Sequence, residues 1–229
     1  MSNANKTRLR VGSYNIRNGH DVGHDMSLLG AHIKSFDLDV VGLQEVDILT
    51  RRAKGLDTLK LLADAASYPY RYFARAIDFN GGQYGTAIMS RYPIVSEQTL
   101  TLPTPEGLEG RSLGYVTLDV NTLKVNFINT HLSYEKKEVR EAQFDFLNET
   151  VASFDNFIIT GDFNTVNDGE FERIVGGIRV NGNKYPTFPG THEGIDDIIV
   201  PSSFTVADSG MAENAGYSDH NLLWAELEL

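Results

Sequence analysis

The chain's apolar residues come in strand-length runs that stop abruptly on polar side chains. In "FIITGDFNTV" (157–166) a run suited to the inside of a sheet breaks on Asp162 and Asn164. Asn15 closes "VGSYN", Gln44 and Glu45 close "VVGLQE", and Asn129 and His131 close "VNFINTH". Asp196 and Asp197 open "DDIIV", and Asp219 and His220 open the last predicted strand. A turn or cap would explain any one of these. Recurring throughout a chain of 229 residues, they point to one site on the rim of a rigid sheet scaffold.

The periodicity predicts strands over 9–16, 39–46, 71–77, 84–90, 112–120, 123–132, 156–161, 194–200, 203–209 and 220–229. Helical patterns cover 26–36, 56–67 and 134–154. Hairpin signals such as "NGG" (80–82) outnumber strand–helix–strand crossovers. The expectation is an α/β (α+β) fold with two mixed, mainly antiparallel sheets packed face to face and helices outside. No internal repeat or linker is visible. Residues 1–4 read as an expression scar or an unstructured N-terminus, leaving 5–229 as a single domain.

Composition narrows the function classes. No apolar run reaches the ~20 residues of a membrane helix, and the N-terminus lacks a signal-peptide core. These absences point to the cytoplasm. With no cysteine, a disulfide framework and thiolate chemistry are excluded. Net charge is −11, from 20 Lys+Arg against 31 Asp+Glu, and no basic cluster exceeds "RR" (51–52) or "KK" (136–137). Such a field repels polyanions, so a nucleic-acid partner is not favoured. No partner protein is evident, and a monomer is expected.

The residue types at the strand ends fit together. Glu, Asp and Asn are hard oxygen donors suited to Mg²⁺, with Mn²⁺ as a substitute. Two histidines can handle protons near neutral pH, and there is no nucleophile-elbow serine. This set suits direct attack of water on a phosphate ester.

"SYNIR", "GLQEVD", "GTAIMSRYPI", "INTHL", "ITGDFN", "GIDDIIV" and "YSDH" occur in this order across 9–229. In these blocks the chain resembles the endonuclease/exonuclease/phosphatase superfamily, the DNase-I-like metal-dependent phosphohydrolases. The resemblance implies a four-layer sandwich and Mg²⁺-dependent phosphoester hydrolysis. It implies Glu45 as principal metal ligand, Asn15 beside it as ligand or phosphate contact, and Asp219 as a further ligand. His131 is implied to hydrogen-bond the phosphate and to serve the leaving group. Asp162 and Asn164 would orient the attacking water and bind phosphate oxygen. His220 would be general base or phosphate-polarising histidine, oriented by Asp196, since a carboxylate on one ring nitrogen fixes the tautomer. The family usually has an aromatic residue where Asp197 stands; strand alternation puts that side chain on the opposite face from Asp196.

Asn129, Arg111 and His192 are weaker candidates for substrate contact. Asp47 could line the substrate mouth, whereas Arg51 and Arg52 fit a solvated loop. Arg140 and Gln143 suit helix packing, His20 and His24 exposed loops, and Trp224 the core. The expected substrate is a small or soluble phosphoester, diester ahead of monoester. A DNA or RNA nuclease is the alternative, and a catalytically inactive binding protein on the same fold a more distant one.

Overall fold

The structure is a computed structural model, and it describes residues 7–213 and 216–229. The expected N-terminal scar, 1–4, lies outside the described residues. The strands are β1 Arg8–Asn15, β2 Val40–Ile48, β3 Tyr70–Phe79, β4 Gly82–Ser90, β5 Ile94–Thr101 and β6 Ser112–Val120. They continue with β7 Leu123–His131, β8 Phe157–Asp162, β9 Gly177–Arg179, β10 Asp196–Pro201, β11 Thr205–Met211 and β12 Leu223–Glu228. Helices are α1 Met26–Lys34, α2 Thr58–Ala66, α3 Lys137–Val151 and the single turn α4 Asp168–Phe171, with a 3-10 segment at Arg17–Val22. Asp25 caps α1 by accepting from Ser27 N, and Asp57 caps α2 by accepting from Lys60 N.

Two six-stranded sheets form, in the orders β11-β12-β1-β2-β4-β3 and β5-β6-β7-β8-β10-β9. In the first, only β1 and β2 run parallel; in the second, only β7 and β8 do. The two sheets therefore repeat one pattern of strand directions, although the sequence shows no repeat. Each parallel pair needs a crossover, which α1 supplies between β1 and β2, and α3 between β7 and β8.

Strand alternation divides the core into three layers, giving a four-layer α/β sandwich. Val41, Leu43 and Met89 meet Leu29, Ile33 and Leu62 of α1 and α2. Leu9, Val11, Val40 and Ile88 meet Val116, Val125, Phe127, Ile158 and Ile198 between the sheets. Ile128, Ile159 and Phe163 meet Phe144 and Leu147 of α3 and Phe171 of α4. Each such aliphatic or aromatic side chain, fully buried, contributes about 1.5–3 kcal/mol.

The inter-sheet layer changes character along its length. In β7 the residues facing the opposite sheet are Val125, Phe127, Asn129 and His131; in β8 they are Ile158, Thr160 and Asp162. The penultimate rung is a buried hydrogen-bonded network. Gln44 Nε2 donates to Asn129 Oδ1 (2.6 Å) and Ser13 Oγ (3.2 Å), and Thr160 Oγ1 donates to Asn129 Oδ1 (3.1 Å). Gly42 is required for this approach, because a Cβ there would lie 2.1 Å from Thr160 Oγ1 and 2.6 Å from Asn129 Oδ1. The last rung is the candidate site.

Two strands absent from the sequence expectation, β5 and β9, lie at opposite edges of the second sheet. Trp224 packs against the helix-covered core as expected but is only half-buried, with the Arg10 guanidinium 4.2 Å over its ring.

Candidate active site

Asn15, His131, Asp162 and Asp196 extend the inter-sheet face of β1, β7, β8 and β10 to the ends of those strands. Glu45 has the wrong parity for that face and reaches it through a bulge. Pairing of β2 with β4 slips between Leu43 and Val46, and Glu45 has φ +56°. A bulge re-aims side chains in this way.

Asn15 Nδ2 donates to Glu45 Oε1 (3.2 Å) and to Asp162 Oδ2 (3.0 Å), while its Oδ1 accepts from Arg17 N (3.0 Å). Asn15 thus bridges two carboxylates and presents an N–H, rather than the ligand oxygen expected of a metal-holding side chain. Asp162 Oδ2 lies 3.4 Å from His131 Nε2 and 3.7 Å from His220 Nε2. Asp162 Oδ1 accepts from Asn164 N (3.0 Å), and Asn164 Nδ2 donates to Leu132 O (2.9 Å). His220 Nδ1 is 2.8 Å from Asp196 Oδ2, and its ring packs on Phe188 with centroids 4.9 Å apart. Asp197 points away into its own cage, accepting from Arg179 Nε (2.8 Å) and Asn181 N (2.9 Å).

The electrostatics follow from burial and neighbours. Burial raises the Glu45 carboxyl above its ordinary range, partly offset by the Asn15 hydrogen bond. Burial, reinforced by Asp196, pushes Asp162 up to about 7. Burial would lower His220, but Asp196, with Asp162 and Asp219, raises it to about 10. Burial, then the charges of Arg111 and His220, hold His131 well below the usual imidazole range.

Most of these groups face a cavity of about 380 Å³, whereas Asn15 and Asp196 are not among its lining residues. Glu45, Asp162, Asn164, His131, Asp219, His220 and Arg111 all line it. Two weaker candidates do not. Asn129 is fully buried behind the site, its amide donating to Leu43 O (2.8 Å) and Ala87 O (2.9 Å). That correction follows from depth along the strand: Asn129 shares the face of His131 but sits one rung inside it and spends its polar atoms joining the sheets. His192 is exposed on a loop at φ +60° and is not among the lining residues.

Arg52, expected in a solvated loop, lines the cavity instead. Its Nε (2.6 Å) and Nη2 (2.8 Å) donate to Asp47, and it packs 4.5 Å over Phe79. Tyr84 and Glu109 also line the cavity without having been singled out. Their signal is weak because neither is adjacent to a polar strand end. Arg140 pairs with buried Glu170 (2.9 Å), and Gln143 Oε1 accepts from Ser133 N (2.9 Å), both packing roles as expected.

The donor set fits a hard divalent cation. Glu45 is a partly buried carboxylate facing the cavity, and its one hydrogen bond among the described residues comes from neutral Asn15. Asp219 stands at the same rim, its side chain 38% exposed, with Arg17 Nε 3.3 Å away. Asp162, Asp196 and His220 also offer ligand atoms within 4.8 Å of one another. In that trio, however, the dyad hydrogen bond uses His220 Nδ1 and one Asp196 oxygen.

The sequence profile of the Endonuclease/Exonuclease/phosphatase family matches residues 12–220. The chain belongs to this family. Members of the family are phosphoester hydrolases, generally dependent on a divalent metal. Solved structures agree in fold. An endonuclease/exonuclease/phosphatase from Beutenbergia cavernae DSM 12333 superposes at TM-score 0.81 and 22% identity, covering 98% of this chain and 72% of that chain. A mannosyl-6-phosphatase from Bacteroides thetaiotaomicron VPI-5482 gives TM-score 0.70 and 22% identity, over 96% and 100%. D. rerio TDP2 complexed with single strand DNA product gives TM-score 0.76 and 18% identity, over 97% and 99%. No curated protein matches the chain in sequence. Among the described residues of this family member, no helix is long and apolar enough to cross a membrane.

Proposed function

We propose that the chain is a Mg²⁺-dependent hydrolase of a small or soluble phosphoester, diester ahead of monoester, with Mn²⁺ as a substitute cation. The observation that carries this reading is the convergence of Glu45, Asp162, Asp219, His131 and His220 on one cavity of about 380 Å³. That volume suits a small substrate, and the net charge of −11 disfavours a polyanion.

Glu45 and Asp219 would hold the cation, with Asn15 orienting Glu45. The cation would neutralise charge on the phosphoryl and leaving oxygens. Asn164 orients Asp162, whose carboxylate, poised near neutrality, positions the attacking water and takes its proton. Asp196 keeps His220 charged, and His220 Nε2 donates to a phosphoryl oxygen. The test is hydrolysis of bis-p-nitrophenyl phosphate and p-nitrophenyl phosphate with Mg²⁺ or Mn²⁺, with and without chelator. Metal-dependent turnover of either is expected. No turnover of either, and none on a panel of nucleic acids, would sink the enzymatic reading.

A further inference from the structure

Arg111, immediately before β6, is 3% exposed, and its Nη1 lies 2.8 Å from Glu109 Oε1 and 3.1 Å from His131 Nδ1. A guanidinium has five N–H groups and no acceptor, so at this contact His131 Nδ1 accepts. An uncharged imidazole accepting at Nδ1 carries its proton on Nε2. That nitrogen faces Asp162 Oδ2 at 3.4 Å. Both ring nitrogens thus meet a partner of suitable polarity, and a reversed ring would set carbons against both.

We propose that Arg111 is a positioning residue that locks His131 in its Nε2–H tautomer, making His131 an uncharged hydrogen-bond donor to phosphate oxygen rather than a proton-transfer group. A second proton on Nδ1 would confront a guanidinium N–H. The depression of the His131 pKa by burial and by Arg111 has the same direction. His220 shows the contrast, because its Nδ1 meets the Asp196 carboxylate at 2.8 Å. The two histidines carry opposite charges on the partner of the same ring atom, and this assigns them different work. The phosphate contact rests on the function proposed above; the tautomer does not.

The test is long-range ¹H–¹⁵N correlation spectroscopy of the labelled full chain at neutral pH, without metal and with Mg²⁺. Signals of His131 are assigned by their loss in His131→Gln. The wild type should show the Nε2–H form in both states. Arg111→Met should admit the Nδ1–H form or imidazolium and lower kcat by ~10-fold or more, the scale of a misplaced donor. Arg111→Lys, which keeps an N–H donor, should retain the Nε2–H form and recover part of the rate. A wild-type His131 that is imidazolium or Nδ1–H overturns the proposal, even if Arg111→Met fails to fold. So does an Arg111→Met spectrum unchanged from wild type with only KM raised, the signature of direct phosphate binding. A locked tautomer in a chain with no phosphoesterase activity would refute the proposed function and leave the lock standing.

Discussion

Glu45 shows how much one backbone conformation contributes to this site. A non-glycine residue at φ +56° costs on the order of 1–3 kcal/mol, and its carboxylate is then partly buried opposite neutral Asn15. Glu45→Gln should therefore cut turnover by at least ~100-fold. In chelator it should melt no lower than wild type, because a partly buried carboxylate becomes a neutral amide. Turnover and thermal melts of the same preparation check both statements. His220→Ala should cost at least ~100-fold as well; near-wild-type rates in both variants would mean the site is misplaced. The glutamate was legible from its position at the end of "VVGLQE". The bulge that aims it was not, since it depends on where β2 loses register with β4.

At the scale of elements, the polar rung behind the site joins the sheets. Asn129→Ala would take the amide donor away from Leu43 O and Ala87 O and leave Gln44 Nε2 with Ser13 Oγ alone. With each buried unsatisfied group costing about 1–3 kcal/mol, a loss of roughly 3 kcal/mol is expected. Urea unfolding reads that loss, and a substrate-contact role would instead raise KM at unchanged stability. Helix α1 carries a separate prediction. His32 stacks on Tyr217 at 4.3 Å, and burial lowers its pKa from 6.5. The unfolded chain then binds more protons than the folded one below about pH 6.5, so stability falls as pH falls through that region. His32→Phe keeps the stack and should flatten the difference in stability between pH 7 and pH 5, measured by denaturant midpoints. Helices were legible because each buries one face with regular spacing, and central strands such as β8 and β10 because they bury both faces as continuous runs. Strand β5, with Val95, Ser96, Glu97 and Gln98 exposed, has no such period, and β9 is only 3 residues long. Arg52 escaped for a related reason: its pairing with Asp47, five residues earlier near the end of β2, follows no secondary-structure period.

At the scale of the molecule, two sheets with the same pattern of strand directions bring the ends of β1, β7, β8 and β10 to one rim. A cation held there binds the folded state and not the unfolded chain, so Mg²⁺ should raise the melting temperature by an amount that grows with its concentration. Glu45→Gln should abolish most of that rise in a thermal-shift titration; an unchanged rise would place the cation elsewhere. The sequence by itself determined the strand-end chemistry, the family and the layered architecture, because residue type and period are local properties of the chain. It also determined that Asp196 and Asp197 face opposite ways, since alternation permits nothing else. Only the tertiary structure decided which partner each ring nitrogen meets: Arg111 at His131 and Asp196 at His220. It alone retired Asn129 to the interior and brought Arg52 to the cavity. Asn129 is buried because the two sheets pack closely over Gly42, and the other outcomes depend on which side chains meet at the rim, which no local period of the chain encodes.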